Sequence, residues 1–179
     1  ATKLIKDDKV LAIIGPSTTG ETMAVKPVTE KEQIPLISCA AGIKITDPVN
    51  PWTFKTPAND HIAGEKILNY AVSKGQKSFA LLTVSDGFGA SGREQLKNLL
   101  TQKGLALVAD ETFGPKDTDM TAQLTKIRNT PGVQAILVFG FGQGPAVVTK
   151  NYGQLGITLP MYQSHGVASE EYIKLSNLT

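Results

Sequence analysis

The chain has 179 residues, enough for one large domain or parts of two, with 41% hydrophobic and 19% charged residues and a net charge of +2, a balance typical of a folded globular protein and not of a disordered one. Lysines and acids are interspersed, so nucleic acid is not an expected partner, and no apolar run approaches the roughly 18 residues of a membrane span, so direct membrane insertion is not expected either. A single cysteine, Cys39, excludes an intrachain disulfide or a CxxC pair, two histidines, His61 and His165, are too few for a metal cluster, and no P-loop or GxSxG signature is present, so no cofactor is expected.

Taken in chain order, Ala1–Asp7 resembles the last turns of a helix, which suggests a chain that begins inside an element. Val10–Ile14 is apolar throughout, the pattern of a strand buried on both faces, and Gly15 and Pro16 end it because proline brings no N–H to a ladder. The spacing predicts a helix over Thr18–Glu32. Thr18 and Glu21 stand at capping-box separation, so hydroxyl and carboxylate together would satisfy the first amides of that helix. The Gly15–Gly20 turn then reads as a socket for a small anion, favoured by amides and helix dipole, or simply as an ordinary helix start. A second apolar strand follows at Pro35–Ser38, and strand alternating with helix indicates a parallel sheet. Asn50–Pro57 is a short extended piece bounded by prolines, and a domain crossing is placed near Pro57, dividing residues 1–57 from 58–179.

The same rhythm then restarts. Helix Asn59–Lys74, stopped by Gly75, carries Ala63, Ile67, Tyr70 and Ala71 on one face and leads to strand Ser78–Val84. Helix Gly89–Lys103 turns Leu96, Leu99 and Leu100 inward and ends at Gly104 before strand Leu105–Ala109. Asp117–Asp119 caps helix Met120–Arg128, whose Leu124 and Ile127 face in. Strand Ala135–Phe139, helix Pro145–Leu155 and strand Leu159–Gln163 complete the alternation.

Ligands of open parallel sheets bind beyond the carboxyl ends of the strands. That rule selects the loops Gly15–Gly20, Ser38–Gly42, Ser85–Gly89, Gly140–Gly144 and Ser164–Gly166, where small residues let backbone approach a ligand and Phe88, Phe141 and His165 offer contact area. The same rings are also suited to filling gaps in a core or, for His165, to a surface role. Gly140–Pro145 is a poor dinucleotide fingerprint, because its third glycine is displaced and no acid follows at the proper strand end. Cys39 is either a small semi-buried residue or a nucleophile with His165 as its base.

Four segments, Ile14–Thr19, Ile34–Ser38, Asp117–Thr121 and Tyr162–Gly166, occur in an order and spacing that resemble the type I periplasmic binding proteins, and among them the extracytoplasmic solute receptors of branched-chain amino acid (Leu/Ile/Val-type) ABC transporters. The resemblance runs over essentially the whole chain. It implies an α/β fold of two doubly wound parallel-sheet lobes, residues 1–57 forming part of the first and 58–179 most of the second, in a fragment of a protein about twice as long. It implies a periplasmic or otherwise extracytoplasmic location, by lipid anchor in a Gram-positive cell, and a non-enzymatic receptor that closes on a small carboxylate-bearing ligand and docks on a membrane permease. Carried over by position, Thr18, Thr19, Ala40, Ala41 and Gly42 belong to the ligand site of the first lobe, with the Thr19 hydroxyl and the Ala40 backbone on the ligand's carboxylate and ammonium. Phe88, Phe141 and His165 belong to the second. Two positions depart: Gly42 replaces a hydroxyl residue, and His165 replaces an acid that pairs with the ligand's α-ammonium. The ligand is then an amino acid or an aromatic or aliphatic organic acid, and because a buried ammonium without that counter-charge costs several kcal/mol, the position favours the acid lacking the amino group. Two other readings stay open at this level: the effector-sensing core of a transcription regulator, and an α/β enzyme using Cys39 or His165.

Overall fold

The computed structural model describes residues 1–176, in two compact units, Ala1–Asp60 and a second beginning at His61.

The first unit is a three-stranded parallel sheet, β1 (Ile13–Ile14), β2 (Leu36–Ser38) and β3 (Thr53–Lys55), in that spatial order, with helix α1 (Thr2–Lys6) before it and α2 (Thr19–Lys31) between β1 and β2. The extended piece bounded by prolines thus contributes a full strand. Register places Ile13, Leu36 and Thr53 in one row, on the face where Leu36 and Thr53 are buried. Ile14, Ile37 and Phe54 form the next row on the other face. There the expectation of a strand buried on both sides fails: Ile14 is 78% exposed and Leu11 lies outside the sheet altogether. β1 is an edge strand of two residues, and an apolar run alone does not reveal whether anything packs on its outer side. Helix α2 presents hydroxyls to the sheet, with Thr22 Oγ1 2.8 Å from the buried Ser38 Oγ.

The second unit is a four-stranded parallel sheet in the order β5-β4-β6-β7, formed by β4 (Ser78–Val84), β5 (Ala106–Phe113), β6 (Ala135–Phe139) and β7 (Met161–Gln163). Helices α3 (Asp60–Ser73), α4 (Gly87–Gln102), α5 (Thr121–Asn129) and α6 (Gln143–Gln154) alternate with these strands, and α7 (Glu170–Ser176) follows β7. The central strands β4 and β6 are buried almost throughout, as continuous apolar runs in a doubly covered sheet should be. Leu96, Leu99, Leu100, Leu124 and Ile127 are buried as the helical spacing predicts. Tyr70 is not: it is 56% exposed, and Gly64 and Leu68 join the expected Ala71 on the inward side of α3. The inward stripe is centred on Leu68, so following Tyr70 misjudged the face by a fraction of a turn.

Glycines in α4 set how closely it lies on the sheet. A Cβ built on Gly89 would stand 1.7 Å from the Val84 carbonyl oxygen, and one on Gly92 would stand 2.1 Å from the Phe139 ring. These glycines let α4 lie close to β4 and β6.

Candidate binding site

In the first unit the strand ends converge through hydrogen bonds. Thr18 caps α2: its Oγ1 accepts from the Glu21 amide at 3.3 Å and donates to Glu21 Oε2 at 2.8 Å. The reciprocal half of the capping box is absent, since the carboxylate takes the hydroxyl and not a backbone amide. One residue on, Thr19 is buried and belongs to the next loop as much as to its helix. Its Oγ1 accepts from the Gly42 amide at 3.2 Å, and a Cβ on Gly42 would stand 2.3 Å from Thr19 Cγ2. Gly42 is therefore the residue that lets the Ser38–Gly42 loop lie against Thr19. Ala40 and Ala41 are buried in that loop, with the Ala40 amide donating to Ser38 Oγ at 3.1 Å and the Cys39 amide to the Pro16 carbonyl at 3.0 Å. Cys39 itself is exposed.

Lys55, at the end of β3, was not singled out from the sequence. Its ammonium donates to the Ala41 carbonyl at 2.8 Å. Burial pushes its pKa below the ordinary lysine value, and the nearby Asp60 carboxylate offsets part of that effect. The strand-end rule would have found Lys55 had Thr53–Lys55 been read as a strand.

In the second unit, Phe88, Phe141 and His165 are brought together as one aromatic group. Phe88 meets the Phe141 ring edge-on at 5.6 Å and His165 at 5.5 Å, and lies 4.8 Å from the core ring of Phe139; His165 also meets Phe139 at 5.9 Å. Exposure divides them. Phe88 is 7% exposed and belongs mainly to the core, Phe141 is 38% exposed, and His165 is exposed. The loops beneath are tightly tied. Ser164 Oγ donates to the Gly140 carbonyl at 3.0 Å and accepts from the Gly166 amide at 3.3 Å, while a Cβ on Gly166 would stand 2.3 Å from the Gly140 oxygen. Asp86 accepts from the amides of Phe88 and Gly89, both at 2.9 Å, so α4 starts two residues earlier than the sequence suggested and its leading amides are already engaged. Of the acids expected to cap α5, Asp119 bonds the Thr121 amide at 2.8 Å, whereas Asp117 turns back to the Gly114 amide at 2.7 Å.

Each unit carries a parallel sheet with loops beyond its strand ends, and a family profile described as periplasmic binding protein matches residues 1–174. The chain belongs to the periplasmic binding protein family. Its fold is that of the type I periplasmic binding proteins. An extracellular ligand-binding receptor from Rhodopseudomonas palustris HaA2 superposes with a TM-score of 0.91 at 28% identity, over 97% of this chain and 49% of that one. A branched-chain amino acid transporter substrate binding protein from Streptococcus pneumoniae, solved with isoleucine, gives 0.81 at 28% identity over 98% and 50%. A curated relative, the Leu/Ile/Val-binding protein homolog 3 of Brucella melitensis, is 20% identical over 174 residues, 96% of this chain and 47% of that protein. This periplasmic binding protein chain thus spans about half the length of the relatives it matches. No helix among its described residues is long and apolar enough to cross a membrane, and among the same residues no group of His, Cys, Asp and Glu is arranged to hold a metal ion.

Proposed function

We propose that the protein is a non-enzymatic extracytoplasmic solute receptor of an ABC uptake system, which binds a small carboxylate-bearing ligand by hinge closure and delivers it to a membrane permease. The observation that carries this reading is the bond between the Gly42 amide and the Thr19 hydroxyl. It ties two strand-end loops together, and in this reading the Thr19 hydroxyl, which accepts from Gly42, gives its proton to an anion. In this reading Thr18, Thr19 and the backbone of Ala40, Ala41 and Gly42 form the carboxylate half-site. Phe141 and His165 present rings to the rest of the ligand, and Phe88 backs both. The relatives named above as branched-chain amino acid receptors support the receptor class and the permease partner.

The ligand we propose is a carboxylic acid without an α-amino group. An exposed histidine packed edge-on against phenylalanines offers aromatic contact where an acid would otherwise pair with an ammonium, and an unpaired ammonium in a closed site is disfavoured by several kcal/mol. Calorimetry on the complete polypeptide carrying this sequence, with leucine and its des-amino counterpart 4-methylpentanoate, tests the assignment. Binding of the acid with little or none of leucine is expected; tight leucine binding with none of the acid would overturn it.

A further inference from the structure

The carbonyl that Lys55 holds and the amide that Thr19 holds are two ends of one peptide group. Lys55 Nζ donates to the oxygen of Ala41 at 2.8 Å, and the N–H of the following residue, Gly42, donates to Thr19 Oγ1 at 3.2 Å. A cation on the carbonyl draws electron density along the amide and makes its N–H a stronger donor. A hydroxyl that accepts from a stronger donor becomes, in turn, a better donor itself. The chain of bonds therefore runs from ammonium to carbonyl, from amide to hydroxyl, and ends on the one proton Thr19 has to give.

We propose that Lys55 is a positioning residue that biases the Thr19 hydroxyl toward an anion, conferring carboxylate preference through the Ala41–Gly42 peptide group without touching the ligand. The proposal rests on the reading of Thr19 as the carboxylate anchor. It differs from a purely structural role because the loop has independent supports. Ala40 is tied to Ser38 Oγ, Ser38 Oγ to Thr22, and the Cys39 amide to the Pro16 carbonyl. Removal of the ammonium should leave the loop's path in place while depolarising the amide. Burial of Lys55 adds to the effect, since a partly desolvated charge acts on its neighbours with less screening.

Lys55→Met removes the donor and the charge, Lys55→Gln keeps an N–H donor without the charge, and Lys55→Arg keeps both. Calorimetry with 4-methylpentanoate and with leucine, on the complete polypeptide, is combined with the amide proton shift of Gly42 in nitrogen-15 NMR spectra. Lys55→Met and Lys55→Gln should each bind the carboxylate probe about tenfold more weakly, the range of one charge-assisted hydrogen bond. Both should move the Gly42 amide proton upfield, and Lys55→Arg should restore affinity and shift together. Unchanged affinity in Lys55→Met and Lys55→Gln, or an unmoved Gly42 resonance, overturns the proposal. A loss in Lys55→Met that Lys55→Gln fully repairs does the same, because a donor alone then suffices. Thr19→Ala separates the two readings. If it abolishes binding while the Lys55 variants bind normally, only the Lys55 proposal fails. If Thr19→Ala binds like the unmodified protein, the anchor reading fails and the Lys55 proposal with it.

Discussion

Thr19 and Gly42 are in such close contact that a methyl group on Gly42 would stand 2.3 Å from Thr19 Cγ2 and 3.0 Å from Thr19 Oγ1. The Gly42 backbone lies at ordinary dihedrals, φ −52° and ψ 131°, so an alanine there is opposed by space and not by backbone strain. Gly42→Ala should lower stability by about 1–3 kcal/mol in urea unfolding. It should also weaken ligand binding, because a Thr19 side chain that rotates away gives up its bond to the Gly42 amide. Thr19→Ser removes the obstructing methyl and retains the hydroxyl. In that background Gly42→Ala should cost distinctly less, and a double-mutant cycle showing simple additivity would refute the contact.

Gly89 and Gly92 make a separate prediction about the second unit. At Gly92 the obstacle is the buried Phe139 side chain, which would have to repack within the core; at Gly89 it is the Val84 backbone carbonyl at 1.7 Å, which cannot shift without disturbing β4. Gly89→Ala should therefore be the costlier change, about 3 kcal/mol or more, and Gly92→Ala about 1–3 kcal/mol, by chemical denaturation.

The aromatic residues should separate by exposure. Phe88→Ala empties a buried position against Phe139 and should cost about 3–5 kcal/mol of stability. Phe141→Ala removes a ring that is already 38% exposed, so it should change the melting behaviour little. Its expected effect is on affinity, about tenfold for the carboxylate probe, measured by calorimetry.

Acid stability should depend on Asp110. Burial alone would raise its pKa, but the hydrogen bonds and charges of Arg93, whose Nε lies 2.7 Å away, and of Lys97 outweigh burial and hold the carboxyl below its ordinary range. The unfolded chain thus binds a proton at Asp110 more readily than the folded one. The stabilisation is fully present above the unfolded pKa of about 4 and is lost as pH falls through the lower, folded value. Asp110→Asn should lower stability at neutral pH and flatten the acid limb of a stability profile measured from pH 7 downward; an unchanged limb would exclude the role.

Legibility differed between elements for physical reasons. β4 and β6 were readable to the residue because a doubly covered central strand must be apolar along its whole length, and no helix of that composition would be so short. β3 was harder, since Thr53–Lys55 is three residues with a lysine at its end and gains strand character only by pairing with β2. The first-unit half-site shows the same division. Thr18, Thr19 and the Ser38–Gly42 loop stand out by strand-end position, whereas Lys55 is identified only by the carbonyl it reaches.

The sequence by itself determined the parallel α/β architecture and the loops at its strand ends, because both follow from periodicity, and four segments in register carried the resemblance to the family. Only the tertiary structure decided what those loops do to one another. It showed that Phe88 packs in the core, that glycines in α4 let the helix lie close to the sheet, and that Thr19 and Lys55 bind opposite ends of the Ala41–Gly42 peptide group. Those relations join residues far apart in the chain, and a hydrogen bond or a steric contact depends on distances in space that neither composition nor spacing along the chain encodes.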